Sequence, residues 1–246
     1  MQIGAYAKTP ARPAGVPAVP AGAYALHSHG LELLLLPGRA VWWPLAHMLL
    51  VADLHLGKAS TFRRAGLPVP SGTTQNNLQR LTCLLAQTNA RHLVFLGDLL
   101  HARSGADAAL WTAVSHWRGL HPSVALTLVR GNHDWHAGDP PASLGITLVD
   151  EPWQPLPNVP LFGCHHPQSV AGGLVLAGHL HPTAQLYGTG RDRLRVPCFV
   201  LHDGQLVLPA FGAFTGGMAS TASPSARRFA VVEQQVLAIA PRAASG

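Results

Sequence analysis

Charge is scarce in this chain. Asp, Glu, Lys and Arg together make up 11% of its 246 residues, against 48% apolar residues. That balance argues against a disordered polymer and leaves enough apolar mass for a sizeable core. Lysine is almost missing: only Lys8 and Lys58 are present, so 15 of the 17 cations are arginine. Cysteine is rare as well. Cys83, Cys164 and Cys198 are odd in number and share no metal-ligand spacing, which argues against a disulfide framework and suits a reducing compartment. No stretch approaches the roughly 18 uninterrupted apolar residues of a membrane-spanning helix. Residues 1–22, "MQIGAYAKTPARPAGVPAVPAG", lack the apolar core of a signal peptide. They read as a Pro/Ala-rich mobile leader, and a cytoplasmic location is expected.

What the chain does have is a repeated pattern of strand, loop and helix. "LELLLLPGRAVWW" reads as a hairpin turned at Pro37-Gly38. "HMLLVADLH", "HLVFLGD", "VALTLVRGNHD", "PLFGCHH" and "LVLAGHLH" are short apolar strands. "TTQNNLQRLTCLLAQ" and "DAALWTAVSHW" carry leucine, valine and tryptophan at helical spacing. Strands alternating with helices predict an α/β architecture with parallel strands. The last third alternates short apolar runs with turns, which predicts a second sheet. No linker splits the chain, so one domain is expected over residues 23–240, with a tail at 241–246.

Each of the five strands ends in polar residues. They are Asp53 and His55, then Asp98, then Asn132-His133-Asp134, then His165-His166, then His179 and His181. In an open α/β sheet the carboxyl ends of parallel strands share one edge, where ligands bind. Five such ends in order point to a single site.

The residue types fit two divalent ions. Two ions about 3.5–4 Å apart need a bridging carboxylate, and Asp98, alone on its loop, is the natural bridge. Asp53 and His55 are two residues apart, so in an extended chain both can face one way. With Asp98 they would hold the first ion. Asn132 would hold the second with Asp98, completed by His165 or, on spacing alone, by His166. His179 and His181 can give one ligand to each ion. Two carboxylates against four positive charges leave room for a hydroxide and an anionic phosphate. Mixed imidazole and carboxylate ligation favours manganese, with iron or zinc as alternatives.

The ordered motifs D-x-H, G-D, G-N-H-D, a lone H and G-H-x-H, from Asp53 to His181, resemble the calcineurin-like metallophosphoesterases. That resemblance implies a two-sheet α/β/β/α sandwich with the site at the strand carboxyl edge. It also implies that His133 contacts the substrate phosphate and serves as general acid, with Asp134 orienting it. "ADLHLGKASTFRRAGLPVPSG", "GDLLHAR", "CHHPQ", "LAGHLHP" and "LPAFGAFTGG" further resemble the bacterial ligase-associated DNA damage response endonucleases. Their genes accompany a DNA ligase, a helicase and a nuclease.

The expected function is therefore hydrolysis of DNA phosphodiesters by a metal-bridging hydroxide, in DNA repair, with single-stranded DNA favoured. A phosphomonoesterase or small-nucleotide phosphodiesterase is the enzymatic alternative, because these motifs are shared across substrates. A non-catalytic scaffold would be expected to lack His133 or a ligand. The net charge of +6, carried by arginine, suits a polyanionic partner. Lys58, Arg63, Arg64 and Arg103, on loops leaving the same edge, are the candidate phosphate contacts.

Overall fold

The computed structural model describes residues 19–69, 72–188, 193–213, 215–219, 223 and 225–240. Most of the leader, the tail, Phe214 and residues 189–192 lie outside them. The described end of the leader is tied down, with the Gly22 carbonyl accepting from Val236 N at 2.9 Å.

The leucine-rich hairpin forms as read. β2 (Leu31–Leu36) and β3 (Ala40–Trp43) pair antiparallel, flanked by β1 (Tyr24–Ser28) and β4 (Met48–Val51). From β4 onward the sheet becomes parallel. β5 (His92–Leu96), β6 (Ala125–Val129) and β7 (Ile146–Val149) follow in order, giving a seven-stranded mixed sheet. The crossovers are helical, as parallel neighbours require. α1 (Lys58–Arg64) and α2 (Thr73–Thr88) join β4 to β5, and α3 (Ala108–Leu120) joins β5 to β6. Leu78, Leu81, Leu84 and Leu85 of α2 and Leu110, Val114 and Trp117 of α3 pack against Trp42, Leu49, Phe95 and Leu126 on one face of this sheet. A short α4 (Asn132–Ala137) follows β6.

The second sheet is built from β8 (Leu161–Gly163), β9 (Leu174–Ala177), β10 (Pro182–Tyr187), β11 (Arg193–His202), β12 (Gln205–Val207), β13 (Met218–Ala219), β14 (Arg227–Val232) and β15 (Gln235–Ile239). β8 and β9 run parallel, and β11 turns antiparallel into β10, β12 and β14. The two sheets meet face to face. Leu33, Leu35, Leu50, Val94 and Leu96 interlock with Leu174, Leu176, Phe199, Leu206 and Phe229, all buried. Alternation along each strand explains this, since odd and even positions face opposite layers.

One expectation changes here. The five ligand-bearing strand ends do not share one sheet edge: β4, β5 and β6 belong to the first sheet, β8 and β9 to the second. Their carboxyl ends converge across the sandwich. Among the described residues no helix is long and apolar enough to cross a membrane.

Candidate metal centre

Three of the five strands, β4, β5 and β9, hand their polar residues to the site through an unusual backbone. Asp53, His55, Asp98, His179 and His181 all have φ between 44° and 69°. A left-handed residue other than glycine costs of order 1–3 kcal/mol and persists where its surroundings hold it, most often at functional sites. The holding contacts are present. Asp53 N donates to Gly97 O at 3.2 Å and His55 N to Asp98 O at 2.8 Å, which zips the β4 and β5 loops together. The Asp53 carboxylate accepts from His179 N, at 3.1 and 3.0 Å to its two oxygens, and so joins the two sheets. The preceding glycines are needed for space: a Cβ on Gly97 would meet the His165 ring, and one on Gly131 the Asp98 carboxylate.

These contacts gather the side chains into two touching groups. In the first, His181 Nε2 lies 3.4 Å from Asp53 Oδ1 and 3.4 Å from His55 Nε2, and His55 Nε2 lies 3.7 Å from Asp98 Oδ2. In the second, His165 Nε2 lies 2.9 Å from Asn132 Oδ1, 3.1 Å from His179 Nδ1 and 3.4 Å from Asp98 Oδ1. Asp98 faces both groups. His165 Nδ1 donates to the Leu96 carbonyl at 3.2 Å, so in the neutral ring Nε2 is a lone pair. That lone pair faces the Asn132 amide oxygen and a carboxylate, acceptor against acceptor. A cation between them resolves the conflict, and the donor set of oxygen and imidazole nitrogen suits a divalent one.

The electrostatics agree. Burial holds the His55 ring down to about 2, helped by the Lys58 charge. Burial also lowers His165 and His179. Neutral imidazoles are the form that binds metal. Burial raises Asp98, against the pull of its bond from His133 N. A bound cation would reverse that rise.

His165 and His166 differ in burial and in partners. His165 is fully buried among the other ligand candidates. His166 is part-buried and its ring stays close, 4.7 Å from that of His165 and 4.5 Å from that of His179, so the three could also share an ion; its Nδ1, however, donates to Glu151 Oε1 at 2.7 Å, while Glu151 Oε2 accepts from His165 N at 2.6 Å and His166 N at 2.9 Å. Glu151 thus fixes the loop after β8. Burial pushes its carboxyl up, and the three bonds outweigh that and hold it below the usual range. Sequence reading missed Glu151, the second of two adjacent carboxylates, Asp150 and Glu151, after β7 with no motif around them.

His133 stands in the first turn of α4 beside the two groups, with Nε2 4.0 Å from Asp98 Oδ2. Asp134 does not orient it. The Asp134 oxygens accept from Leu100 N at 3.1 Å and Gly131 N at 3.0 Å, tying the β5 loop to the β6 loop. Instead His133 Nδ1 donates to the His101 carbonyl at 2.7 Å, and the two rings stack at 5.2 Å. Nε2 is thereby left facing the site.

The candidate cations separate. Lys58 opens α1, half-buried, close enough to Asp98 and Asp53 for their charges to act on it. Arg63 and Arg64 are not on a loop but in the last turn of α1. Arg64 donates to Asp107 Oδ2 at 3.0 Å and to the Ser104 carbonyl, and Arg63 to Ser60 Oγ at 3.3 Å. Arg103 is exposed in the turn Arg103–Gly105, which packs on α1 and α4.

A convergent imidazole–carboxylate site at the mouth of a two-sheet sandwich is the setting of phosphoester hydrolysis, and residues 46–208 match the model of the calcineurin-like phosphoesterases. The chain belongs to that family. This phosphoesterase is 42% identical to the Pseudomonas putida nuclease MPE, over 88% of its own length and 100% of the other chain, with a TM-score of 0.76. A second solved structure, YfcE, a phosphoesterase from E. coli, matches at 18% identity and a TM-score of 0.40, over 79% of this chain and 99% of that one. Comparison with curated proteins found no match. As a metallophosphoesterase, the protein hydrolyses phosphoesters with divalent metal, and the clustered His and Asp residues could hold it.

Proposed function

We propose that this phosphoesterase is a nuclease that cuts DNA internally, prefers single strands and works best with manganese. The observation that carries the reading is 42% identity across the whole of the Pseudomonas putida nuclease MPE, in a chain whose His and Asp residues converge on one site. In this reading Asp53, His55, Asp98 and His181 would hold one ion. Asp98, Asn132, His165 and His179 would hold the other. When bound, the ions supply Lewis-acid activation of water and neutralise charge developing on the phosphate.

The chain's own residues do the rest. His133 is held by the His101 carbonyl with Nε2 turned to the site. When the ring is protonated on both nitrogens, it can give the Nε2 proton to the leaving oxygen. Asp134 supports His133 indirectly, by fixing the two loops on which Asp98 and His133 stand. Lys58 is the cation best placed to meet the substrate backbone. Arg63, Arg64 and Arg103 stand farther out, where α1 meets the turn at Arg103–Gly105. The resemblance to ligase-associated endonucleases extends the proposal to DNA repair in the cytoplasm, beside a ligase, a helicase and a nuclease.

The test is a closed circle of single-stranded DNA, which has no ends and so demands internal incision. With added manganese the circle should be linearised, and chelator or Asp98→Ala should abolish the cut. Neutralising several phosphates makes binding fall with salt at about −0.7 per contact on single strands, so activity should drop steeply as salt rises. An intact circle beside fast turnover of a cyclic dinucleotide or a monoester would overturn the nuclease assignment.

A further inference from the structure

The chain carries six tryptophans. Trp42, Trp43 and Trp117 are buried, and Trp111 and Trp153 partly so. Trp135 is 65% exposed. A ring of this size left in water forgoes the burial that holds the others in the core, and it does so beside the metal centre. Trp135 lies in α4, its N donating to Gly131 O at 3.3 Å. It follows the candidate ligand Asn132 by three residues and His133 by two. Residues three apart on a helix are neighbours, with Cβ atoms about 5–6 Å apart. The indole therefore stands at the rim of the site, next to Asn132.

The ring is held from behind. The Arg130 guanidinium lies over it, 5.2 Å from the centroid. That guanidinium is itself anchored: Nε and Nη2 donate to the two oxygens of Asp139, both at 3.2 Å, and Nη1 donates to Asp150 Oδ1 at 3.4 Å. The two-pronged bond to Asp139 fixes its plane. Arg130 N donates to Val149 O at 3.0 Å, which ties the backbone below to β7. With one face backed by a fixed cation, the exposed area of the indole leaves the opposite face open.

Charge decides what can lie on that face. The ion-pair cluster behind the ring sets one cation, Arg130, against two carboxylates, Asp139 and Asp150. Such surroundings repel a phosphate. A basic peptide would find both carboxylates already engaged by Arg130. A nucleobase is flat and uncharged, and every base has a face that stacks on an aromatic ring.

We propose that Trp135 is the stacking platform for an unpaired nucleobase beside the scissile phosphate. The inference rests on the nuclease reading and deepens it. The metal centre takes the phosphate to be cut, and the indole takes a base of the adjoining nucleotide and sets the strand in register. Within a duplex that base is stacked between its neighbours and must leave the stack before it can reach the ring, at an energetic cost. Trp135 thus favours single strands and is tolerant of sequence.

The test uses manganese-loaded protein and short single-stranded oligothymidylates carrying one abasic tetrahydrofuran residue, placed at each position in turn. Cleavage at every bond is mapped and read against its offset from the missing base. One base stacked on an aromatic ring is worth about 5- to 150-fold. For the wild type, kcat/KM should therefore fall about tenfold, mainly through KM, at one offset next to the cut. Trp135→Ala should lower cleavage of the intact oligonucleotide by a similar factor, and the missing base should then cost nothing further. Trp135→Phe keeps a ring and should keep most of both effects. The side chain is exposed, so neither substitution should move the urea midpoint. A wild type that ignores the abasic residue at every offset, or a loss that survives Trp135→Ala at its full size, overturns the platform while leaving the nuclease reading intact. If no oligonucleotide is cut while an aryl phosphodiester is, the nuclease reading fails and the platform falls with it.

Discussion

Replacing Asp134 separates two accounts of the G-N-H-D motif. Its carboxylate is 2% exposed, and its two oxygens accept from Leu100 N at 3.1 Å and Gly131 N at 3.0 Å. Asp134→Ala leaves both buried amides unsatisfied, at about 1–3 kcal/mol each. The expected loss of stability is therefore roughly 2–6 kcal/mol, a large share of the ~5–15 kcal/mol of a typical domain. Asp134→Asn keeps one acceptor but turns an NH2 toward the other amide, so about half that loss is expected. Urea unfolding of the three proteins, metal-free and manganese-loaded, measures both differences. Activity should fall because the β5 and β6 loops drift apart, which weakens metal binding, and excess manganese should recover part of it. Suppose instead that Asp134→Ala unfolds within about 0.5 kcal/mol of wild type, the range of a surface change, yet loses its rate at saturating metal. The carboxylate would then act on His133 after all, and the loop-tying account would be wrong.

Other outcomes follow from the same geometry. His133→Ala should retain its metal content, measured by elemental analysis, while slowing esters with basic leaving groups more than those with acidic ones; loss of metal would make His133 a ligand. Gly131→Ala adds a Cβ against the Asp98 carboxylate, so it should lower manganese affinity at least about tenfold by titration, in the range of perturbed ligand support. Wild-type affinity there would mean that Asp98 has room to move. Native protein should react with one equivalent of a thiol reagent, at exposed Cys83, because Cys164 and Cys198 are buried and burial pushes their thiols up to about 12 and about 11. A fast second equivalent would contradict the packing around β8 or β11.

The candidate ligands were legible because each stands immediately after an apolar run, a relation that spans only a few residues. Asp53 after "LLVA" and His179 after "LVLAG" need no knowledge of the partner strand. The division of those strands between two sheets was not legible, because pairing joins residues far apart in the chain, such as Leu206 with Leu176. α1 escaped notice for another reason. "KASTFRR" has no apolar stripe, and the helix is held by its neighbours, among them Arg64 bound to Asp107. The part played by Asp134 was hidden because its partners are backbone amides, which no residue type announces. Arg80 was passed over likewise. It donates to Phe211 O at 2.7 Å and Gly38 O at 3.0 Å, clamping the loop whose Phe211 N bonds Ala52 O beside Asp53.

The split of the ligands between the sheets also bears on time. A chain that has made only the first sheet holds Asp53, His55, Asp98 and Asn132, four of the seven candidate ligands. His165, His179 and His181 arrive on the second sheet, which is itself finished by β14 and β15, downstream of every ligand. β15 then reaches back to the beginning of the described chain, Val236 to Gly22. Partly made or partly opened forms of this protein are therefore inert by construction. For an enzyme proposed to sever DNA, the order of the chain serves as a safety catch, released only when folding is almost complete.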